Sequence, residues 1–237
     1  MSNQPPIEVP QGAIRFNTDS QKLEFFAQDR WYGMATDVPT LDGGVRGVFG
    51  GGYQPSEKDV IDFVTISTAG NATDFGNLTE ARGSFDASGS RTRGFWFGGE
   101  NPATDRIDFV TIASTGDAHD FGDITESIGA NSAQCGSSTR GIIWGGYPAG
   151  TNIDSLIIAS QGNTVKFGDS TIDLNYRNCT SDSVRGVSGG GQDGPGAGNT
   201  IEYITIASDG DAVDFGDLTT DAHDSGGCFS NGHGGLG

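Results

Sequence analysis

Basic residues are scarce in this chain: 13 Lys and Arg stand against 31 Asp and Glu, a formal charge of −18 over 237 residues. So acidic a surface repels phosphate backbones and anionic lipid headgroups, which argues against nucleic acid and membranes as partners. Long apolar runs are missing too; no stretch of 18 apolar residues offers a membrane span. The opening MSNQPPIEVPQGAIRF has neither a basic segment nor an apolar one, so no secretory signal is expected. Cysteine is limited to Cys135, Cys179 and Cys228, an odd number at wide spacing that argues against a disulfide framework. Small buried side chains are the expected role for these thiols. The three histidines, His119, His223 and His233, have no counterparts in one another's surroundings, and no Gly-x-Ser-x-Gly elbow is present. No glycine cluster continues into the Lys and helix of a phosphate-binding loop. These absences point away from an enzyme, and no cofactor is expected.

Glycine, by contrast, is abundant, at 40 residues, and it lacks the strict three-residue period of collagen. Its positions mark an internal repeat, the feature that decides the reading of this chain. Arg-Gly, two or three mostly apolar residues and Gly-Gly occur at Arg46–Gly51, Arg93–Gly99, Arg140–Gly146 and Arg185–Gly190. A second element follows each time, at Ile61–Ile66, Ile107–Ile112, Ile153–Ile158 and Ile201–Ile206. The third is Phe-Gly, at Phe75, Phe121, Phe167 and Phe215. The second element is rich in β-branched and aromatic residues and apolar on both faces, which predicts a strand buried on both sides. Gly beside Asn or Asp then supplies a tight turn, and the Phe-Gly strand returns from it, its glycine allowing a bulge or close backbone approach. A further strand is expected in the small polar stretches 84–90, 131–137 and 177–183.

A unit of four short strands is too small to bury its own faces, so the expected architecture is all-β: a four-bladed β-propeller over residues 41–237. A solenoid of stacked hairpins is the alternative. Before Arg46 no copy of the polar strand exists, whereas a spare one, Ser225–Ser230, follows Phe215; the chain's end is expected to complete the first blade. Ahead of the repeats, residues 1–11 read as an arm and 12–40 as a β-hairpin module. Its strands flank the polar turn Asn17–Ser20, and Trp31 is expected as an apolar cap. A lone hairpin is marginal and invites self-association.

With its order written out, the unit resembles a divergent kelch repeat, best between Leu78–Arg82 and Arg93–Gly99. The corner arginine, Arg82, finds no counterpart in the other copies by sequence, and Phe75 stands where kelch repeats carry Trp. The Asp-box of sialidase propellers is absent. Residues 46–234 are more similar to glycine-rich repeats of marine and cyanobacterial phage structural proteins, where Arg-Gly-x-φ-Gly-Gly, Ile-Asp-φ-φ-Thr-Ile and Asp-Phe-Gly-Asp-Leu-Thr recur together. Gly12–Phe26 through Trp31 resembles a module of phage tail-fibre proteins. The resemblance implies a non-enzymatic virion protein of the tail-fibre or appendage type, commonly trimeric, with other virion proteins and a host surface glycan or receptor as partners. A capsid decoration protein and a cellular kelch-like protein- or glycan-binding module are the alternatives.

Function is expected where the copies differ. The loops after each Gly-Gly vary in length and composition, and in a propeller they share one rim. Tyr53, Gln54, Glu100, Asp105, Tyr147, Gln192 and Asp193 are the candidate binding residues. The acidic turns (Asp117, Asp120 and Asp123; Asp209, Asp211, Asp214 and Asp217) raise the question of calcium. The spacing of an EF-hand and its closing Glu are lacking, and Lys166 occupies an aspartate position, so water-facing turns are the expectation. Arg46, Arg93, Arg140 and Arg185 recur at one place and are expected to pair with Asp62, Asp108, Asp154 and Glu202 on the adjacent strand.

Overall fold

The computed structural model describes residues 9–17, 22–33, 46–53, 55–125, 132–146, 150–193, 196–222 and 227–230. Their regular structure is entirely β, in five antiparallel sheets, with no helix among the described residues. The chain divides into two units, Met1–Asp42 and Gly43–Gly237.

The first unit is a three-stranded meander rather than a hairpin: β1 (Ile14–Asn17), β2 (Lys22–Ala27) and β3 (Arg30–Gly33). Trp31 is therefore a strand residue and not a cap. The cause is local: Gln28 and Asp29 both take positive φ, 46° and 59°, giving a two-residue turn whose twist suits an antiparallel pair. Trp31 then packs edge-on against Phe26, with centroids 5.3 Å apart, and carries the Arg15 guanidinium 4.1 Å above its ring. Asn17 donates to Glu24 at 3.0 Å and Arg15 bridges it at 2.8 Å, and together they draw the Glu24 carboxyl below its ordinary range. The opposite face is apolar and exposed. There Ile14 pairs with Phe25 and Phe16 with Leu23 across the strands.

The second unit holds the repeats. Repeat 1 has β4 (Arg46–Gly50), β5 (Lys58–Thr65) and β6 (Thr73–Arg82). Repeat 2 has β7 (Asp86–Gly89), β8 (Arg93–Phe97), β9 (Arg106–Thr111) and β10 (His119–Asp123). Repeat 3 has β11 (Ala133–Gly136), β12 (Arg140–Trp144), β13 (Asn152–Ile157) and β14 (Val165–Asp169). Repeat 4 has β15 (Asn178–Ser181), β16 (Arg185–Gly189), the short β17 (Gln192–Asp193), β18 (Gly196–Thr205) and β19 (Val213–Ala222). Each repeat is one antiparallel sheet, and among the described residues repeat 1 has no counterpart of the small polar first strand of the others. A bulge falls in every pairing with the Phe-Gly strand, and at Gly76, Gly122 and Gly216 the glycine takes a positive φ that other residues resist.

No repeat has a core of its own. Ile61, Phe75 and Leu78 of repeat 1 pack with Trp96, Val110 and Ala118 of repeat 2. Two further clusters join repeats 2 and 3, and repeats 3 and 4, in the same manner. Hydrogen bonds follow the same rule: Gly116, Gly162 and Gly210 each donate a backbone N–H to the carbonyl of Phe75, Phe121 and Phe167 in the preceding repeat, at 2.7, 2.8 and 2.9 Å. That approach explains the glycine after each Phe. A Cβ at Gly76, Gly122 or Gly168 would stand 2.3, 2.5 or 2.2 Å from the next repeat's turn.

The recurrent arginines serve this joint, and the expected cross-strand ion pairs are not formed. Arg46, Arg93 and Arg140 donate to the carbonyls of Ile112, Ile158 and Ile206 in the following repeat, at 2.9, 2.6 and 3.1 Å. Each guanidinium also lies over an aromatic ring of its own repeat: Phe63, Phe109, Phe167 and, for Arg185, Tyr203. An aromatic face offers a guanidinium charge stabilisation without burying a second ion, and Asp108, Asp154 and Glu202 are engaged elsewhere.

The fourth joint is unmade among the described residues. Phe215 is 55% exposed where Phe75, Phe121 and Phe167 are 3% exposed, and a Cβ on Gly216 would meet nothing within 4 Å. Ile66, the counterpart of Ile112, is likewise exposed. Residues 227–230 nonetheless lie along β15 as β15 lies along β11. Ser181 donates its hydroxyl to the Gly136 carbonyl at 2.8 Å, and Ser230 donates to the Ser181 carbonyl at 2.6 Å.

Candidate functional site

The acid near the start of each buried strand is a structural residue. Asp108 is fully buried and accepts from Arg82 at 2.9 Å, from the Thr79 N–H at 3.0 Å and from the Thr79 hydroxyl at 2.6 Å. Asp154 is held by Thr125 and Thr164, and Glu202 by Thr171 and by Arg177 at 2.6 Å. Thr79, Thr125 and Thr171 belong to the preceding repeat, and Thr164 to the same repeat as Asp154. Arg177 thus plays in repeat 4 the part of Arg82 in repeat 2, although it sits next to its strand where Arg82 stands four residues ahead. That offset hides it from a spacing search, and the expectation that Arg82 has no counterpart is corrected.

The acidic turns are spoken for as well. Asp117 accepts from the Asn77 N–H at 3.0 Å, Asn163 from Asp123 at 3.1 Å and Asp211 from Asp169 at 3.0 Å. An amide does the same work as two carboxylates, so the position requires an acceptor rather than a charge. No group of three potential metal ligands is found among the described residues.

Of the candidate loop residues, Glu100 and Gln192 are held firmly by their backbones. Glu100 exchanges two hydrogen bonds with Gly83, at 3.2 and 2.8 Å, and Gln192 exchanges two with Asn175, at 2.9 and 2.8 Å. Tyr53 is exposed and bridges to Glu57, while the Asp105 carbonyl accepts from Ile124 at 2.7 Å. Asp193 follows Gln192 in β17. Gln54 and Tyr147 lie outside the described residues.

These anchors lead to a feature that the sequence did not disclose. Gly83 and Asn175 each precede a residue in the left-handed region, Ser84 and Tyr176, both at φ 55°. Non-glycine residues adopt that conformation at a cost, and two at corresponding places mark a tightly held lip. Behind it opens a cavity of about 450 Å³, lined by Ser84, Phe85, Asp86, Ser132, Gln134 and Tyr176, with Asn178, Cys179 and Cys228 also in its wall. Because β7 and β8 run antiparallel, with Asp86 opposite Phe97, the lip and the Gly-Gly loops of repeat 2 lie at one end. The same holds in repeat 4, where Asn178 is opposite Gly189.

The electrostatics of this cavity are lopsided toward acceptors. Gln134 donates its amide to Ser132 at 2.8 Å, but its Oε1 is buried without a partner. Burial raises the Asp86 carboxyl above its ordinary range, only partly offset by the Ala87 N–H. Arg177 contributes no free cation, since its three nitrogens donate to Leu174, Glu202 and Ile172. Burial also pushes the Cys179 thiol well up, with Cys135, Cys228 and Asp86 adding to the effect. Cys228, exposed, donates to the Cys179 carbonyl at 2.7 Å. His119 packs against the Phe109 ring at 5.9 Å, the place of a surface residue rather than a base beside a nucleophile. No protein-family model and no curated protein matches this chain.

Proposed function

We propose that this chain is a non-enzymatic virion protein of a phage, of the tail-fibre or appendage type, whose repeats form a four-bladed, kelch-like propeller presenting variable loops to a host surface. The observation that carries the reading is the division of labour within the repeat. Joints between repeats reuse the same Arg, Phe-Gly, Thr and acid positions three times over, while the loops after Gly-Gly differ each time, and in repeats 2 and 4 the Gly-Gly ends of the strands lie at the end bearing the cavity. Constant joints with variable loops are the pattern of a rigid frame that displays a binding surface.

Closure of the ring is supported by residues waiting at both free faces. Arg185 matches the arginines that reach Ile112, Ile158 and Ile206, and its partner would be the Ile66 carbonyl. The Phe215 carbonyl would accept from Gly70, the Asp217 N–H would donate to Asn71, and Thr219 would hold Asp62. All four pairs repeat contacts made at the other joints. Residues 227–230, placed against β15, would serve as the first strand of repeat 1. The exposed apolar face of the N-terminal sheet supports self-association, as a trimer in a fibre, because Ile14, Phe16, Leu23 and Phe25 would otherwise stay in water.

Mass spectrometry of purified particles tests the location. Antiserum raised against residues 46–222 should lower adsorption of the particles to host cells; particles that lack the protein would refute the virion reading. Shell decoration is the second outcome to separate: a copy number matching capsomers rather than tail appendages would select it.

A further inference from the structure

We propose that the cavity behind Ser84 and Tyr176 is a binding site for a neutral saccharide unit. The inference deepens the attachment reading and rests on it only for the origin of the sugar, on a host surface.

Among the described residues the cavity presents no free cation, because every nitrogen of Arg177 is engaged, so an anionic ligand would meet the Asp86 carboxylate and a strongly acidic protein. What it offers is acceptors. The Gln134 Oε1 is closed off from solvent and without a partner, a costly condition, and a turn of this wall side chain toward the cavity would bring it to a ligand donor. One Asp86 oxygen is taken by Ala87, and the carboxyl group remains in the wall. The Ser132 hydroxyl already accepts from Gln134, which leaves its proton to be given away. A ligand that fits must therefore be rich in hydroxyl donors, with some acceptor capacity of its own. Phe85 and Tyr176 add aromatic surface in the same wall, suited to the apolar face of a pyranose ring. A volume of about 450 Å³ falls within the range of small-molecule sites.

Position supports the same conclusion. The lip is anchored to Glu100 and Gln192, two of the variable-loop residues, by paired backbone hydrogen bonds. A change in those loops alters what is presented beside the cavity, which couples sequence variation to selectivity. The left-handed Ser84 and Tyr176 are the two points where that coupling enters the wall.

The test uses the full chain, titrated with the methyl glycosides of glucose, galactose and mannose and with N-acetylglucosamine, by saturation-transfer NMR and calorimetry. N-acetylneuraminic acid and spermidine serve as anionic and cationic comparisons. At least one neutral sugar should bind and should slow alkylation of Cys228, which lies in the wall. Gln134→Met should weaken binding about tenfold, the loss of one buried hydrogen bond, whereas Gln134→Glu keeps the acceptor and should keep affinity within about threefold. Thermal unfolding of both variants shows that they fold; Asp86→Leu is the second variant should Gln134→Met not. Preference for either charged probe, no neutral binder at millimolar concentration, or binding indifferent to Gln134 and Asp86 would overturn the proposal. Antiserum that blocks adsorption in the absence of sugar binding would remove this site and leave attachment standing. Sugar binding by a protein missing from the particles would do the reverse.

Discussion

Truncating Phe215 measures whether the ring closes. Phe121, at the joint of repeats 2 and 3, is 3% exposed and touches Phe95 and Phe109 at centroid distances of 5.1 and 5.5 Å. Phe121→Ala should therefore cost about 3–5 kcal/mol, the range for a buried aromatic. Phe215 packs edge-on against the Tyr203 ring at 5.9 Å and is 55% exposed while the fourth joint is unmade. Phe215→Ala would then cost less than about 1 kcal/mol. In a closed ring the two residues stand in like surroundings, and the Phe215 penalty should rise to that of Phe121. Urea denaturation with a common slope separates the cases, and the same difference appears as roughly 6–20 °C in melting temperature for a domain of this size. Equality of the two variants is the expected result. A Phe215→Ala protein as stable as the parent, beside a crippled Phe121→Ala, would refute closure and leave the repeats an open array. Gly216→Ala gives an independent reading, since only a mated joint would bring a turn against the new methyl group as it does at Gly122.

Arg177→Met should destabilise the fold by about 3–5 kcal/mol, because it strands the buried Glu202 carboxylate. Adding Glu202→Gln should recover much of that loss in the same denaturation assay. For Asp86, burial raises the folded pKa above the ordinary value of 3.8, so the folded state holds its proton more tightly than the unfolded chain. Stability from this group is present below that value and is lost as pH rises through the folded pKa. Asp86→Asn should flatten that part of the stability–pH curve and equal or exceed the parent near neutral pH. Phe16→Ser together with Phe25→Ser should reduce the oligomer to monomers in sedimentation while leaving the melting of the repeats unchanged.

The repeat was legible because its three landmarks are backbone requirements rather than ligand contacts. Glycine after Phe75 is dictated by the approaching turn at Gly116, and any sequence that makes this joint must show it. The doubly buried strands were equally plain, since Ile107–Val110 carry apolar groups on both faces and are buried throughout. Partner assignments read less well. Arg93 and Asp108 sit on adjacent strands, so a cross-strand pair was the natural expectation; both turn instead to other repeats, where Ile158 and Arg82 lie. Periodicity places residues within a repeat and is silent on which neighbouring repeat a long side chain reaches. The third strand of the N-terminal sheet was hidden for another reason, as Gln28-Asp29 is a less familiar carrier of positive φ than Asn-Gly. The cavity had no signal at all, being made by polar residues from three different repeats.

That last point bears on how such a chain can change its partner without changing its fold. Thr79, Thr125 and Thr171 each satisfy the acid of the following repeat, so the joints rest chiefly on residues outside the loops, with Arg106 and Asn152 at the loop ends adding a bond each to Thr79 and Thr125. Glu100 exchanges backbone hydrogen bonds with Gly83, and Gln192 with Asn175, and any side chain at those positions supplies the same backbone groups. Substitution there alters what is presented at the lip while the hydrogen bonds that place the lip persist. The frame thereby tolerates loop variation at little cost in stability, and selectivity can shift at Gln134 and Asp86 through their surroundings alone. Exchange of the loop 100–106 for a neutral sequence of equal length should accordingly change which sugar binds and leave the urea midpoint where it was. A collapse of stability on that exchange would show that the loops are part of the frame, and the separation argued here would fail.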